Sequence, residues 1–232
     1  RLVGSEMCIR DRVYRTKLPE TASVANSKGD ERLFAPSAER NSTPIVNLIK
    51  QIAPKSGEAF EIASGTGQHI VKLALSLPNL SWSPSEVDEE RIKSISAWIK
   101  AENLSNIKPP LYLDATETGW SNSLPQSDFI LLVNLLHLIS WNETKILISE
   151  LSKALKTKGI ALIYGPFMRN GELTSEGDKK FHVSLTQTDP DIGYKDDLDM
   201  QTLFSNSGLS CLEKVEMPAN NLAFVLKKDS LT

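Results

Sequence analysis

Two glycines, Gly65 and Gly67, separate a short apolar run, Ala59 to Ala63, from a stretch whose apolar residues recur at helical spacing: Ile70, Val71, Leu73, Ala74 and Leu77. The pattern is strand, tight turn, helix. Glycine permits the backbone conformations and close approach that such a turn requires. The helix start beyond it leaves N–H groups without intrahelical partners, available to a ligand. A carboxylate, Glu61, stands four residues before Gly65. A unit of this kind belongs in an α/β sheet that holds a nucleotide-like cofactor at its strand ends.

The alternation continues along the chain. Residues 13–36 are polar and aperiodic, and predict a loop or arm. A helix is expected next, capped by Ser42 or Thr43, with Pro44 in its first turn and Ile45, Leu48, Ile49 and Ile52 on one face. Leu80 to Ser85 reads as a second strand ending at Glu86. Ile92, Ile95 and Ile99 mark a helix, and Leu111 to Leu113 a third strand closed by Asp114. Phe129 to Val133 is apolar throughout, as in a strand covered on both faces. Ser140-Trp141-Asn142-Glu143 fits a capping box, and Ile160 to Tyr164 a fifth strand. A polar segment over 165–196 contains a short helix around Phe181 to Leu185. A helix with Leu198, Leu203 and Phe204 follows, and Cys211 to Met217 and Leu222 to Lys227 predict an antiparallel pair. The fold class is α/β: a mainly parallel, doubly wound sheet with helices on both faces.

The 232 residues allow one large domain. A net charge of −3 gives no electrostatic footprint for nucleic acid and no polybasic membrane patch, so neither partner is expected. No apolar run reaches the length of a membrane span. Cys8 and Cys211 have no disulfide or metal spacing, which makes a reducing cytoplasm the default and a bound metal unexpected. The domain is placed at residues 31–228, after a tail over 1–30. The first twelve residues resemble translated sequencing-adapter read-through and are expected to be non-native, the alternative being a short native tail.

The cofactor is narrowed by two residues. A dinucleotide fingerprint wants a third glycine where Ile70 stands, and Glu61 would repel a pyrophosphate. S-adenosylmethionine (SAM), with its α-amino group and sulfonium charge, suits the acid better. Glu86 suits a ribose diol, since a carboxylate accepts two hydroxyl hydrogen bonds, and Asp114 could meet an adenine amino group.

Glu61 to Gly67, Glu86, Asp114-Ala115 and the seven-strand pattern resemble the class I SAM-dependent methyltransferases. More narrowly, Ala35 to Asn41, Glu61 to Gly67, Tyr164 to Phe167 and Met217 to Asn221 are similar to the domain-of-unknown-function family that includes methyltransferase-like 26. The resemblance covers about residues 31–228. It implies a Rossmann-like sheet of order 3-2-1-4-5-7-6 with strand seven antiparallel. The broad pattern often has glycine where Ala63 stands, a substitution compatible with a negative φ. Glu86 stands where the narrow family usually has aspartate.

The resemblance implies cofactor contacts from Glu61, Ala63, Ser64, Gly65, Gly67, Glu86, Asp114, Ala115 and Asn134. Arg40 could pair with the methionine carboxylate. His137 is the candidate general base, against a capped loop histidine. Tyr164, Phe167 and Tyr194 could line a substrate pocket, with 165–197 as its lid, or simply pack. His69 is expected to be solvent-exposed, and the tryptophans to serve packing. The expected function is methyl transfer from SAM to a small-molecule acceptor, a protein acceptor staying open. A non-catalytic SAM-binding module and a nicotinamide-dependent oxidoreductase are the alternatives. Oligomeric state is not legible.

Overall fold

The computed structural model describes residues 24–27 and 29–230. The expected adapter-like segment and Cys8 lie outside them. Ten strands and six α-helices follow in chain order: β1 (Asn26–Ser27), β2 (Leu33–Phe34), α1 (Pro36–Ile52), β3 (Gly57–Ile62), α2 (Gln68–Ser76), β4 (Leu80–Glu86), α3 (Glu89–Ala101), β5 (Leu111–Tyr112), β6 (Ser127–Val133), α4 (Trp141–Ala154), β7 (Leu155–Met168), α5 (Glu176–Thr188), β8 (Lys195–Asp196), α6 (Asp197–Asn206), β9 (Leu209–Met217) and β10 (Asn221–Lys228).

The main sheet runs β5-β4-β3-β6-β7-β10-β9, with β8 attached to β7. Counting strands from β3 and leaving the attached β8 aside, this is the order 3-2-1-4-5-7-6. β10 is antiparallel to both neighbours, and the other pairs are parallel. The order reverses between β3 and β6, which opens a crevice at their carboxyl ends.

The apolar run of β6 is divided between two cores by strand alternation. Phe129 and Leu131 join α1, α2 and α3 on one face, whereas Ile130 and Leu132 join α4 and α6 on the other. All four are fully buried. Trp82, Trp98 and Trp120 pack in these cores as expected, but Trp141 is exposed on the first turn of α4. Among the described residues no helix is long and apolar enough to cross a membrane.

Helix α1 corrects the expected start at Ser42 or Thr43. It begins at Pro36, whose missing N–H and fixed φ suit a first helical position. Pro44 therefore lies inside the helix, and the Ser42 hydroxyl donates to the Ala38 carbonyl instead of capping. The stretch expected as a loop also contains the short β1–β2 ladder. That segment is tied down by two hydrogen bonds: Leu33 N–H to Ser94 Oγ (2.8 Å) and Trp98 Nε1 to the Leu33 carbonyl (2.9 Å).

Candidate functional site

A cleft of about 700 Å³ opens where the carboxyl ends of β3, β4 and β6 meet the N-terminus of α1. Its floor is the glycine turn. After Ile62 the chain passes through Ala63 (φ 53°), Gly65 (φ 59°) and Gly67 (φ 92°) before entering α2. The positive φ at Ala63 overturns the expected negative one. Ala63 occupies a left-handed position that strains any residue with a Cβ, which explains why the broad pattern favours glycine there.

The two glycines serve different ends. A Cβ on Gly65 would meet only Arg91 Nη1, at 3.9 Å, so this position faces open space in the cleft. A Cβ on Gly67 would lie 2.9 Å from Ile95 Cα. Gly67 thus lets α3 pack directly on the turn, and it is not part of the cleft lining.

Glu86 fastens the turn to β4. One carboxylate oxygen accepts the Gly65 N–H (2.9 Å) and the other the Val87 N–H (2.8 Å). Ser64 adds a backbone bond to the Ser85 carbonyl (2.8 Å). Helix α3 has its own cap in Asp88, which accepts from the Arg91 N–H (2.9 Å). Glu86 is therefore not spent on capping. It also accepts the Asp88 N–H at 3.4 Å, and lines the cleft with part of its acceptor capacity left over, since a carboxylate offers about four lone-pair sites.

Glu61 is the most unusual group in the site. It is 1% exposed and lines the cleft, yet its Oε2 has no hydrogen-bond partner among the described residues. Burial pushes its pKa up to about 8; the Ser64 hydroxyl pulls it back and the charge of Glu86 adds to the rise. An ionised carboxylate there needs a cation or a hydrogen-bond donor from a ligand.

Asp114 lies across the cleft, its Oδ1 accepting from Thr116 N–H (2.9 Å) and Oγ1 (2.6 Å). Asn134 closes β6 with a positive φ of 56°, which asparagine tolerates, and its N–H donates to the Tyr164 carbonyl (2.9 Å). Its position satisfies the backbone and also places it in the lining.

Other expected site residues do not reach the cleft. Ala115 turns into the core, its carbonyl accepting from Trp120 Nε1 (3.1 Å). Arg40 is exposed on α1 and outside the lining; it sits about 200° around the helix from Ala38, which does line the cleft. His137 is 5% exposed, packed edge-on against Phe181 and Tyr194. Burial, with Lys195 nearby, holds its pKa down at about 3. A histidine so placed is a packing residue, not a base at the cleft.

Tyr164 is buried in the core beneath α1 and α2, its hydroxyl without a partner among the described residues and its pKa raised by burial to about 12. Phe167 stacks edge-on with Phe224 at 5.0 Å in the opposite core. The Tyr194 hydroxyl donates to Asp178 (3.0 Å) within a small cluster of Leu185, Ile192 and Phe181. Apart from Leu138, which joins both, this cluster is separate from the lining. The expected lid is therefore a buttress beneath the 134–139 loop.

Several lining residues escaped sequence reasoning. His69, expected in solvent, is 7% exposed with Nδ1 3.5 Å from Ser42 Oγ. Burial, helped by Lys72 and opposed by Glu39, lowers its pKa to about 4, so it is neutral. Leu135, Leu138 and Ile139 form an apolar wall, and Glu143, read only as a helix cap, stands beside it. Ser37 and Ala38 enter because α1 begins early. The Pro36 signal could have revealed them. Among the described residues no group of three or more metal-ligating side chains is placed to hold an ion.

Several solved structures that superpose on this chain are methyltransferases by name. An O-methyltransferase family protein from Burkholderia thailandensis superposes with a TM-score of 0.71 at 14% identity, over 82% of this chain and 57% of that one. Human N-acetylserotonin methyltransferase, solved in complex with SAM, gives 0.68 at 13% identity, over 84% and 53%. CalO1, a methyltransferase of calicheamicin biosynthesis solved with S-adenosylhomocysteine, gives 0.63 at 13%, over 81% and 55%. The chain thus spans little more than half the length of these proteins, and the likeness is one of fold: a Rossmann-like methyltransferase fold. In sequence, residues 32–228 match the family described as "Protein of unknown function (DUF938)". That match takes in nearly the whole described chain, and the protein belongs to the DUF938 family.

Proposed function

We propose that this protein is a SAM-dependent methyltransferase acting on a small-molecule acceptor. The observation that carries the reading is Glu61 Oε2, a buried and unpartnered carboxylate oxygen at the glycine turn. It fits the α-ammonium group of SAM and is a poor neighbour for the pyrophosphate of a dinucleotide. Ile70 is fully buried where a dinucleotide fold would want its third glycine. The open face at Gly65 admits close approach of a ligand, Glu86 offers acceptors for a ribose diol, and Asp114 an acceptor for an adenine amino group. The motifs around Pro36, Gly65, Pro166 and Pro218 favour kinship with methyltransferase-like 26 within the broader class.

Bound SAM would supply a methyl group already made electrophilic by its sulfonium. The chain's own residues then bind, orient and exclude water. The apolar wall of Leu135, Leu138 and Ile139 suits an acceptor with an apolar body. With His137 removed from the cleft, Glu143 is the titratable residue that lines it beside that wall, so alignment carries more of the rate than proton transfer.

Titration calorimetry with SAM, S-adenosylhomocysteine and NAD tests the cofactor. The first two should bind in the micromolar range and NAD not at all. Absence of SAM binding at millimolar ligand refutes the proposal. Transfer of a labelled methyl group to a metabolite fraction separates an enzyme from a non-catalytic SAM-binding module, which would bind tightly and label nothing.

A further inference from the structure

Glu143 stands in the first turn of α4, beside the apolar wall of Leu135, Leu138 and Ile139, and lines the cleft with them. The capping box holds it in place. One of its carboxylate oxygens accepts the Ser140 N–H (2.6 Å), while the Ser140 hydroxyl accepts the Glu143 N–H (3.2 Å). The positive end of α4 favours the ionised form of the side chain. Glu143 is half-buried, so water screens its charge only in part. A fixed negative charge thus ends an apolar wall.

The charges around the cleft say what that wall can receive. Among the described residues the lining carries Glu61, Glu86, Asp88, Asp114 and Glu143 against a single cationic side chain, Arg91. Arg91 belongs to the glycine-turn side, where its Nη1 is the atom nearest to a Cβ built on Gly65. Along 133–143 no cationic side chain lines the cleft among the described residues. An anionic acceptor would meet repulsion there without compensation. A neutral apolar one would desolvate the Glu143 charge and return nothing for it. An acceptor that carries an ammonium on an apolar body satisfies both features: the body covers the wall and the charge pairs with the carboxylate.

We propose that the methyl acceptor is a small amine with an apolar body, and that Glu143 is the residue that selects it by pairing with its ammonium. This rests on the SAM reading and deepens it by naming the acceptor's chemical class. The role of Glu143 is recognition and not proton transfer. An ammonium held in an ion pair has no lone pair with which to attack a methyl group, so the amine anchors the acceptor and another atom of it is methylated.

The test uses the full chain saturated with S-adenosylhomocysteine and three probes that share an apolar body and differ in charge: 2-phenylethylamine, 2-phenylethanol and 3-phenylpropionate. Ligand-observed NMR reads their affinities. The wild type should hold the amine at least about fivefold more tightly than the alcohol, and the carboxylate least tightly of the three. Glu143→Gln removes the charge but keeps the capping box, since glutamine accepts the same Ser140 N–H. Its melting temperature should therefore hold, and its affinities for the amine and the alcohol should come within about twofold of each other. Rising salt should narrow the wild-type preference and leave that of Glu143→Gln unchanged. Failure of S-adenosylhomocysteine to bind overturns the SAM reading itself. With S-adenosylhomocysteine bound, no preference for the amine, no binding of it at millimolar concentration, or a preference that survives in Glu143→Gln overturns the acceptor proposal and leaves the SAM reading standing. A lysine blocked at both ends presents the same ammonium on a peptide; binding of it in preference to 2-phenylethylamine overturns the assignment to a small amine.

Discussion

Glu61→Gln isolates the energetic consequence of burying a carboxyl at the glycine turn. Glutamine keeps the shape and hydrogen-bonding reach but cannot ionise. Burial raises the Glu61 pKa from 4.5 to about 8. The folded protein therefore holds a proton that the unfolded chain releases above pH 4.5. The contribution of Glu61 to stability is fully present below that pH and is lost as pH rises through 8. Within this window stability falls by about 1.4 kcal/mol per pH unit, on the order of 4–5 kcal/mol across it. Urea unfolding at pH 5, 6, 7 and 8, followed by tryptophan fluorescence, measures the effect. The wild type should lose stability relative to Glu61→Gln at each step. His69 and His137, whose pKa values are lowered, act in both proteins and cancel in the difference. The same proton should reappear on binding. At pH 7 a carboxyl with a pKa near 8 is about nine-tenths protonated, so a cationic ligand that pairs with its anionic form must release most of a proton. Calorimetry in buffers of different ionisation enthalpy reads that release directly. Parallel stability profiles for the two proteins would refute the assignment of a buried, unpaired carboxyl.

Ala63→Gly should stabilise the fold by about 1 kcal/mol, because it relieves a left-handed residue bearing a Cβ; thermal unfolding checks the sign. Gly67→Ala should destabilise by about 2–3 kcal/mol, since the new Cβ meets the Ile95 backbone at 2.9 Å, and equal melting temperatures would contradict the packing role. His137→Phe should leave SAM affinity within twofold, as the ring packing against Phe181 and Tyr194 is kept; a loss of methyl transfer at unchanged binding would restore the histidine as a base. Ser140→Ala should cost about 1 kcal/mol by removing the capping box with Glu143, measured by denaturant titration.

The backbone plan was legible because its signals are local and periodic. Phe129 to Val133 announced a central strand, Ser140 to Glu143 a helix start, and the Gly65–Gly67 turn the crevice. Side-chain direction was less legible, because it depends on which residues the other layers present. Tyr164 and Phe167 are three apart on one strand and fall on opposite faces, in different cores. Chain position alone put both near strand ends, where a ligand binds. His137 is three residues beyond Asn134, but the 3-10 turn at Leu136–Leu138 rotates its ring under α5 while Leu135 and Leu138 face the cleft. His69 was misplaced for the opposite reason: a polar residue at a helix start reads as exposed until α1, docked two elements earlier, covers it. The early start of α1 is hidden in the sequence because Pro36 and Pro44 both suit a first helical turn, and nothing local decides between them.

The cleft has two walls of different origin, and Tyr194→Phe distinguishes them. The glycine-turn wall is held to β4 by the Ser64 N–H, which donates to the Ser85 carbonyl, and by the Gly65 N–H, which donates to the Glu86 carboxylate. The 134–139 wall is held from below by α5 and the segment after it. There Gly193 N–H donates to the His137 carbonyl (3.0 Å) and Lys195 Nζ to the Ile139 carbonyl (2.6 Å). Tyr194 joins this support to α5 through Asp178 (3.0 Å). Removing its hydroxyl costs about 1–3 kcal/mol of local stability, because the acceptor is a carboxylate. Asp178 keeps Ser175 Oγ (2.7 Å) and Asn220 Nδ2 (3.0 Å), so no bare charge is left to unfold the domain. Hydrogen exchange should therefore quicken in 134–139 and 176–196 while β3, β4 and β6 keep their protection, and S-adenosylhomocysteine affinity should change less than twofold. Uniform acceleration across the sheet would show instead that the two walls unfold as one unit. The local outcome would mean that the 134–139 wall can loosen and reshape without disturbing the glycine turn, which on the proposed reading leaves the cofactor side intact while the acceptor side adapts.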